Sequence, residues 1–297
     1  MRVRTLAVTL LVGGLALTAC GKSGSPADSG SSSAPQAAVA TDVKVDGSKT
    51  FDAMKARGKV VIGVKDDQPN LGYKDAATGK YSGFDIEIAR LIAGQLGFGE
   101  DKITYKAVPS ASRESAITNG DIDYYVGTYT ISDPRKEKVS FAGPYFVAGQ
   151  DLLVKKSNTD ITGKDSLKGK KVCSVTGSTP IQRVKDQKLT DADKIVEFQT
   201  YSQCVEKLAQ GAIDAVTTDD AILKGYAAQD PDNFKVVGAT FSQEPYGIGL
   251  GHDDKALRTK MNDVLQKAYD DGTWQKIYDS TLGKSGSKAS PPPLTRY

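Results

Sequence analysis

The feature that most constrains the fold is a regular alternation of β-rich runs with helix-period segments. The run "KVVIGV" (59–64) is followed by "DIEIARLIAGQLG" (85–97), whose apolar residues fall on one face of a helix, and then by "IDYYVGTY" (122–129). Amphipathic helices between short buried strands are typical of α/β units with a largely parallel sheet. The sequence therefore predicts an α/β fold.

The same alternation recurs in the second half of the chain. "KKVCSV" (170–175), "YSQCVEKLAQG" (201–211) and "DAVTTD" (214–219) form a second set, and "ALRTKMNDVLQKAYDDG" (256–272) adds a helix with an apolar face. The part with this pattern, residues 50–283, is long enough for one large domain or two lobes. Because the pattern occurs twice, we predict two α/β lobes.

Three polar segments leave predicted strands at their carboxyl ends: "DYYVGTYTISDPR", "KVCSVTGSTPIQ" and "DAVTTDDAIL". Ligands of open α/β sheets bind outside these ends, where loops expose backbone N–H groups and helix N-termini. The Thr-Gly-Ser-Thr turn at 176–179 precedes a predicted helix and can offer N–H and hydroxyl donors to an anion. These loops are the predicted place for a ligand.

The first twenty residues have the features of an export signal. Arg2 and Arg4 precede an apolar run at 6–17, which is shorter than the roughly 20 apolar residues that an ordinary membrane-spanning helix needs. A charged start, a short apolar run and small residues before a cleavage point are typical of a secretory signal. Residues 1–19 are therefore predicted to be a signal peptide.

The end of this signal also resembles the bacterial lipobox. In "LTAC", the resemblance implies that Cys20 is diacylated and becomes the new N-terminus; the alternative is an ordinary signal with an incidental cysteine. Residues 20–49 begin with a stretch rich in Gly, Ser, Ala and Pro that buries too little apolar surface to be ordered. We expect a flexible tether that leaves the folded part at the extracellular face of the cytoplasmic membrane.

The cysteine count fits this interpretation. Three cysteines leave an odd one in an exported protein, and a lipid on Cys20 resolves the count. Cys173 and Cys204 then remain in an oxidising compartment, where a structural disulfide is the default. Two separate buried thiols are the alternative.

Charge and composition exclude several classes of function. Removal of residues 1–19 leaves 37 basic residues, 39 less Arg2 and Arg4, against 36 acidic ones, so nothing indicates a nucleic-acid partner. His252 is the one histidine, and no His or Cys cluster has metal-ligand spacing, so neither a metal nor a cofactor is predicted. The low-complexity residues 284–297 are expected to be disordered.

The order of segments resembles the extracellular solute-binding proteins of ABC importers for polar amino acids. The resemblance runs from about residue 58 to residue 283 and rests on "VIGVKDDQPNLGY", "ITNGDIDYYVGTYTISDPRKEKVSFAGPYF", "DAVTTDDAILKGYAAQ", "EPYGIGL" and "DGTWQKIYDSTLG". "AVPSASRE", "FAGPY", "CSVTGST" and "SQCVE" are most similar to glutamate-binding lipoproteins. The family fold implied is the type II periplasmic-binding-protein fold, in which two α/β lobes joined by two crossover strands close on a ligand in the interlobe cleft.

The resemblance implies boundaries for the lobes. Lobe 1 would comprise 50–146 and 246–283, and lobe 2 would comprise 147–245. The crossovers would lie near "YFVAGQD" and "SQEPYG". The protein would act as a monomer that delivers its ligand to the transmembrane subunits of an ABC permease.

The resemblance also assigns the groups that read the amino-acid backbone of the ligand. Arg135 would bind the α-carboxylate in bidentate fashion, because a planar guanidinium presents two parallel N–H donors. The Thr130 hydroxyl would help to hold the same carboxylate. The carbonyl of Thr128 and the carboxylate of Asp219 would accept from the α-ammonium.

Four further residues would determine which amino acid binds. Lys65 and Arg113 would face the ligand side chain, where two cations suit a second carboxylate; surface solvation or pairing with Asp66, Asp67 or Glu114 is the alternative. Ser178 and Thr179 would add donors from lobe 2. Gln68 and Ser110 stand where many members carry aromatic rings, so stacking on the ligand is not expected.

The implied function is capture of L-glutamate, with aspartate as a second acidic ligand. A binding module for glutamine or another polar amino acid is one alternative, and a ligand sensor acting through a separate membrane partner is another. A few relatives on this fold are enzymes, but no nucleophile supported by a base is evident, so we expect no catalysis.

Overall fold

The computed structural model describes residues 38–297. The predicted signal peptide at 1–19, Cys20 and the predicted tether as far as residue 37 lie outside the described residues. Within 38–297, every helix is either too short or too polar to cross a bilayer.

Five strands form the first sheet. Three neighbouring strands run parallel and two more pair antiparallel beside them. The central parallel strand has the sequence VVIGV and is buried on both faces over most of its length, as expected for a parallel sheet covered by helices. In spatial order the strands are β5 (Ile103–Ala107), β1 (Val60–Val64), β6 (Tyr124–Tyr125), β13 (Glu244–Gly251) and β7 (Val139–Ala148).

Six helices accompany this sheet, and the predicted apolar faces point into the core. Ile88 and Ile92 are fully buried, and so are Met261 and Leu265 on the last long helix. Ser48 starts the first helix, since its side chain accepts a hydrogen bond from the Phe51 N–H. The helices are α1 (Lys49–Arg57), α2 (Phe84–Gln95), α3 (Arg113–Thr118), α4 (Asp133–Lys136), α8 (Lys255–Asp270) and α9 (Thr273–Ser280).

The second sheet also has five strands and carries three helices. In spatial order the strands are β10 (Ile195–Phe198), β9 (Val172–Val175), β11 (Ala215–Asp219), β8 (Gln150–Lys155) and β12 (Phe234–Val236). The helices are α5 (Thr179–Asp186), α6 (Tyr201–Ala209) and α7 (Asp220–Gln229). A small antiparallel sheet beside the first one contains β2 (Asp67–Gln68), β3 (Gly72–Lys74) and β4 (Tyr81–Ser82). Single 3-10 turns lie at Glu100–Lys102, Ser110–Ser112, Lys164–Leu167, Ala192–Lys194 and Leu282–Ser285.

Two strands connect the sheets. The chain leaves the first sheet along β7, turns at Gly149 into β8 of the second sheet, and returns along β13. The connecting parts pair with each other, Ala148 opposite Glu244 and Phe146 opposite Tyr246. We call the part built on the first sheet lobe 1 and the part built on the second sheet lobe 2. The predicted two-lobe α/β fold with two crossover strands is thereby confirmed.

The predicted disulfide is present in lobe 2. Cys173 of β9 is bonded to Cys204 of α6, and both are fully buried. The closed loop spans a sequence separation of 31, for which loop entropy gives roughly 3 to 4 kcal/mol of stabilisation. The bond fixes α6 to the central part of the lobe 2 sheet.

The C-terminal segment differs from the expected disorder. The Thr295 N–H donates to the Gly143 carbonyl at 2.9 Å, and the Phe141 N–H donates to the Tyr297 hydroxyl at 2.9 Å. The guanidinium carbon of Arg258 lies 4.2 Å from the centre of the Tyr297 ring. The segment runs beside β7, which ends its sheet, and so covers backbone groups of an edge strand. Composition misses this because a few contacts, not bulk apolar content, hold the segment.

The end of the predicted tether is also packed. Val45 is buried in the lobe 1 core, and the Ala40 N–H donates to the Gly94 carbonyl at 2.9 Å. Val43 and Val45 supply the apolar contact. The ordered part of the chain therefore begins before residue 50.

Candidate functional site

The residues predicted to bind a ligand lie together between the two lobes. Each lies at the carboxyl end of a strand or in the loop or short helix after it, because parallel strands bring these ends to one edge of each sheet. All but Thr179 are buried. Lobe 1 contributes Lys65, Arg113, Thr128, Thr130 and Arg135, and lobe 2 contributes Ser178, Thr179 and Asp219.

Arg135 is held in place on three sides. Its Nη1 donates to the Thr130 carbonyl at 2.7 Å, its Nη2 donates to the Gly177 carbonyl of lobe 2 at 3.2 Å, and its Nε lies 3.5 Å from Glu114 Oε1. A guanidinium carries five N–H groups, so each Nη keeps one that these contacts do not use. Burial, and secondly the charge of Arg113, lower the pKa of Arg135 to about 10. The side chain therefore stays cationic at neutral pH.

Arg113 is buried without an acidic partner. Its three nitrogens donate to the carbonyls of Ser110 (3.1 Å), Thr128 (3.4 Å) and Gly177 (3.3 Å). Its guanidinium carbon lies 4.2 Å from the centre of the Tyr129 ring, a cation–π contact. No carboxylate of the described residues lies within salt-bridge distance of Arg113, so its charge is balanced only by dipoles and a ring face.

Lys65 is also buried without an acidic partner among the described residues. Its Nζ donates to the Ser110 hydroxyl at 2.9 Å, and among residues 38–297 it forms no salt bridge with Asp66, Asp67 or any other carboxylate. Burial, and secondly the charge of Arg113, lower the pKa of Lys65 to about 7. Ser110, which stands where many members carry a ring, thus serves as a hydrogen-bond partner of this lysine.

Thr128 adopts a strained backbone conformation at the edge of the cleft. Its φ of 46° lies in the left-handed region, which a β-branched residue rarely occupies. Asp85 Oδ2 accepts from the Thr128 N–H at 2.9 Å, and Gln68 Oε1 accepts from its hydroxyl at 3.1 Å. These buried side chains fix the direction of the Thr128 carbonyl. Gln68 was not predicted as a site residue, and its buried Nε2 has no hydrogen-bond partner in the part of the chain that the structure describes.

Asp219 ends β11 and has one free acceptor. Its Oδ2 accepts from the Tyr246 hydroxyl at 2.6 Å, whereas its buried Oδ1 has no partner among the described residues. Burial, and secondly the charge of Glu244, raise the pKa of Asp219 to about 7. An ammonium group that reached Oδ1 would stabilise the ionised form.

Glu244 is a buried carboxylate that the sequence interpretation did not assign. Its Oε2 accepts from the hydroxyls of Thr130 and Thr179, both at 2.9 Å. Its Oε1 accepts from the Ser242 hydroxyl at 2.7 Å and lies 2.8 Å from Arg183 Nη2. Glu244 therefore collects donors from lobe 1, lobe 2 and a crossover. Only its place in the crossover motif "EPYG" distinguished it from other carboxylates of the sequence.

Three hydroxyl groups expected to contact the ligand have partners within the protein in this arrangement. A hydroxyl has one proton, and those of Thr130 and Thr179 are directed at Glu244, so neither donates to a ligand carboxylate at the same time. Ser178 is the N-cap of α5, where its Oγ accepts from the Ile181 N–H at 3.3 Å. Thr130 and Thr179 thus commit their protons to Glu244, whereas the cap contact of Ser178 uses only its oxygen and leaves its hydroxyl proton.

Tyr129 and Glu114 form a platform under the two arginines. The ring of Tyr129 lies 4.2 Å from Arg113 and 5.0 Å from Arg135, measured from each guanidinium carbon. Its hydroxyl donates to Glu114 Oε1 at 2.7 Å. Burial raises the pKa of Tyr129 well above its usual range, so the ring stays neutral. The only sequence signal was an aromatic residue within "GTYTIS".

The comparison with protein families decides what kind of cleft this is. Residues 60–284 match the family described as bacterial extracellular solute-binding proteins, family 3. The chain belongs to this family. The match covers both lobes, so the whole cleft is that of a solute-binding protein.

Individual relatives are also solute-binding proteins. The chain is 37% identical over 284 residues to the glutamate-binding protein GluB of Corynebacterium efficiens, a match that covers 92% of this chain and 88% of the relative. It is 40% identical over 251 residues to the glutamine-binding protein of Geobacillus stearothermophilus, with 84% and 92% covered. Among solved structures, an ancestral arginine-binding protein bound to arginine is 38% identical, with a TM-score of 0.70 over 76% of this chain and 99% of the other. The family and these relatives are binding proteins and not enzymes, as expected.

In this solute-binding protein the two lobes touch across the cleft. Arg113 and Arg135 of lobe 1 both donate to the Gly177 carbonyl of lobe 2. A side chain at residue 177 would place a Cβ 2.7 Å from Ala111 Cα, so only glycine allows this approach. The structure therefore describes the cleft with its lobes together, and a small ligand there would contact groups of both lobes.

Proposed function

We propose that the chain captures L-glutamate, with aspartate as a second acidic ligand, and delivers it to an ABC permease. The observation that carries the proposal is the pair of buried cations, Lys65 and Arg113, that have no acidic partner among the described residues. A carboxylate on the ligand side chain would supply the missing charge. The matches to glutamate-binding relatives support the same ligand.

The amino-acid backbone would be read by Arg135 and Asp219. The unused N–H groups of Arg135 suit an α-carboxylate, and Asp219 Oδ1, together with the fixed Thr128 carbonyl, suits an α-ammonium. Both residues lie in the cleft but in different lobes. A ligand bound by both stabilises the joined lobes by its differential affinity, which drives hinge closure.

Glutamine is the second candidate. Relatives named as glutamine-binding proteins are 40% and 38% identical to this chain. A pKa of about 7 makes Lys65 neutral in a large share of molecules at neutral pH, and a neutral amine tolerates a ligand amide. Gln68 Nε2, a buried donor without a partner among residues 38–297, can donate to an amide oxygen or to a carboxylate.

For cellular placement, we propose that Cys20 carries a lipid that anchors the monomeric protein at the extracellular face of the cytoplasmic membrane. The lipobox-like "LTAC" and the Gly- and Ser-rich stretch after it support this. An anchored receptor with a tether can reach a permease in the same membrane, and that permease is the proposed partner.

Calorimetric titration of residues 38–297 with glutamate, aspartate, glutamine and arginine tests the ligand. We expect glutamate to bind at micromolar affinity or better, which corresponds to about 8 kcal/mol, and glutamine to bind at least about tenfold more weakly. A preference for glutamine or arginine would reject the role of the two cations. Absence of binding for all four would reject amino-acid capture.

A further inference from the structure

We propose that Asp67 latches the two lobes together and so raises the affinity for the ligand without touching it. The inference rests on the proposed function, capture by closure. Asp67 belongs to β2 of lobe 1, yet its Oδ2 accepts from the N–H groups of Tyr201 (2.9 Å) and Ser202 (3.2 Å) in lobe 2. These contacts exist only while the lobes are together.

The acceptor sits at the N-terminus of a lobe 2 helix, which favours a negative charge. Tyr201 and Ser202 are the first two residues of α6, and their N–H groups have no partner within the helix. The helix's own cap, Thr200, accepts from the Gln203 N–H, one position further on. Asp67 therefore takes the donors that the local cap leaves, and it adds a charge at the positive end of the helix.

A second helix of lobe 2 contacts the same point. The Tyr226 hydroxyl of α7 donates to the Asp67 carbonyl at 2.5 Å and lies 3.2 Å from Asp67 Oδ2. At Gly225 an added Cβ would lie 2.5 Å from the Pro69 carbonyl, so α7 rests directly on the loop after β2. Asp67 thus accepts hydrogen bonds from both α6 and α7.

The side chain of Asp67 points away from the predicted ligand. Successive residues of a strand face opposite sides, and the neighbouring Gln68 faces the cleft, where it accepts from Thr128. The disulfide makes the latch rigid, because Cys204 ties α6 to Cys173 of β9. The strand β9 leads directly to Gly177, so the latch helix and the cleft loop of lobe 2 move as one body.

A contact of this kind affects every ligand equally. Asp67 stabilises only the closed state, so its loss lowers the closed population and weakens all ligands by one factor. A charge-assisted hydrogen bond is strong enough for about a tenfold change in Kd. The hydrogen bonds of the latch themselves do not discriminate glutamate from glutamine; apart from them, the Asp67 charge raises the pKa of Lys65, as the Asp66 charge also does.

The test compares Asp67→Ala with Asp66→Ala, a neighbouring carboxylate without a contact to lobe 2 among the described residues. Calorimetry and stopped-flow dissociation with glutamate and glutamine give Kd and the off-rate, and small-angle scattering gives the radius of gyration with and without ligand. We expect Asp67→Ala to weaken both ligands about tenfold through a faster off-rate, and to raise the ligand-free radius of gyration above that of the wild type. Asp66→Ala should change Kd less than about twofold.

Three results would overturn the latch. They are an unchanged Kd in Asp67→Ala, an equal loss in Asp66→Ala, and a ratio of the two ligands that changes in Asp67→Ala but not in Asp66→Ala, which would mean that Asp67 acts on the ligand itself; a ratio change shared by both variants would reflect the loss of a charge that raises the pKa of Lys65. Tyr226→Phe provides a second variant: its hydroxyl donates to the main-chain carbonyl of Asp67, which Asp67→Ala keeps, so the two losses of closing free energy should be about additive. If the wild type bound neither amino acid, the proposed function would fail, and the ligand-free scattering of the two alanine variants would still decide whether the latch exists.

Discussion

The two ends of the cleft differ in how fully the protein balances its own charges. At the crossover end, Glu244 receives four donors, one of them the guanidinium of Arg183. On the lobe 1 wall, Lys65 and Arg113 have only neutral partners among the described residues. The carboxylate at the crossover end is fully paired within the protein. The lobe 1 wall carries two cations, Lys65 and Arg113, that a ligand carboxylate would pair.

The energetic reason lies in desolvation. A buried charge is unfavourable unless it is paired and hydrogen-bonded, and the lowered pKa of Lys65 reflects that cost. A ligand carboxylate offsets it and gains charge-assisted hydrogen bonds. A fully paired residue such as Glu244 has no such capacity left, so the difference separates residues that hold the lobes from the residues proposed to select the ligand.

Removal of the Arg135 guanidinium should weaken ligand binding more than any of the other substitutions proposed. In Arg135→Ala the α-carboxylate of any amino acid would lose its fixed cation in a desolvated cleft, so we expect at least about a 100-fold loss of affinity for glutamate and glutamine alike. Calorimetry measures the affinity, and thermal unfolding checks that the fold persists. Lys136→Ala, one residue along α4, is the matched control and should bind normally; wild-type affinity in Arg135→Ala would remove its assignment.

The sequence alone predicts that residues at the ends of strands lie in the cleft. Lys65 follows β1 and Asp219 ends β11, and an α/β pattern places residues at strand ends in one cleft whatever the details of packing. The resemblance to a known family then supplied their roles. Both kinds of information are local, since they depend on a residue and its immediate neighbours in the chain.

The rest of the site depends on contacts between distant segments. Glu244 meets Thr130 and Thr179 across separations of 114 and 65 residues, and Asp67 meets α6 across 134. The period of apolar residues along the chain carries no information about contacts between such distant residues. The packed C-terminal segment was missed for the same reason, because Tyr297 is anchored by Phe141 and Arg258, which are far away in the sequence.

A sharper test of the lobe 1 wall is to neutralise Lys65 alone. In Lys65→Met the ligand side chain would lose one cation, so we expect glutamate to bind about 10- to 100-fold more weakly and glutamine to change less than about threefold. Titration with both amino acids measures the ratio. Lys74→Met, an exposed lysine of the same lobe, is the control. Equal losses for the two ligands would show that Lys65 supports the fold of the cleft and does not read the side chain.

The smallest expected effect is a pH dependence that distinguishes the two ends. In the cleft with its lobes together and no ligand, the pKa of Asp219 is raised to about 7, and a bound ammonium would lower that pKa, so binding would release a proton and affinity would fall as the pH decreases below about 7. Lys65 has its pKa lowered to about 7, and a bound carboxylate would raise it, so binding takes up a proton and affinity falls as the pH rises above about 7.

Glutamate affinity should therefore peak near pH 7, with limbs that approach tenfold per pH unit, the limit for one linked proton. The alkaline limb should be shallow for glutamine, which brings no side-chain carboxylate, and should vanish for glutamate in Lys65→Met. Titrations between about pH 5.5 and 8.5, where the ligand's own groups keep their charges, would measure both limbs. If affinity for glutamate still fell at alkaline pH in Lys65→Met, the titrating group would not be Lys65. If only the alkaline decrease disappeared, the alkaline limb would be assigned to Lys65 and the acid limb to Asp219.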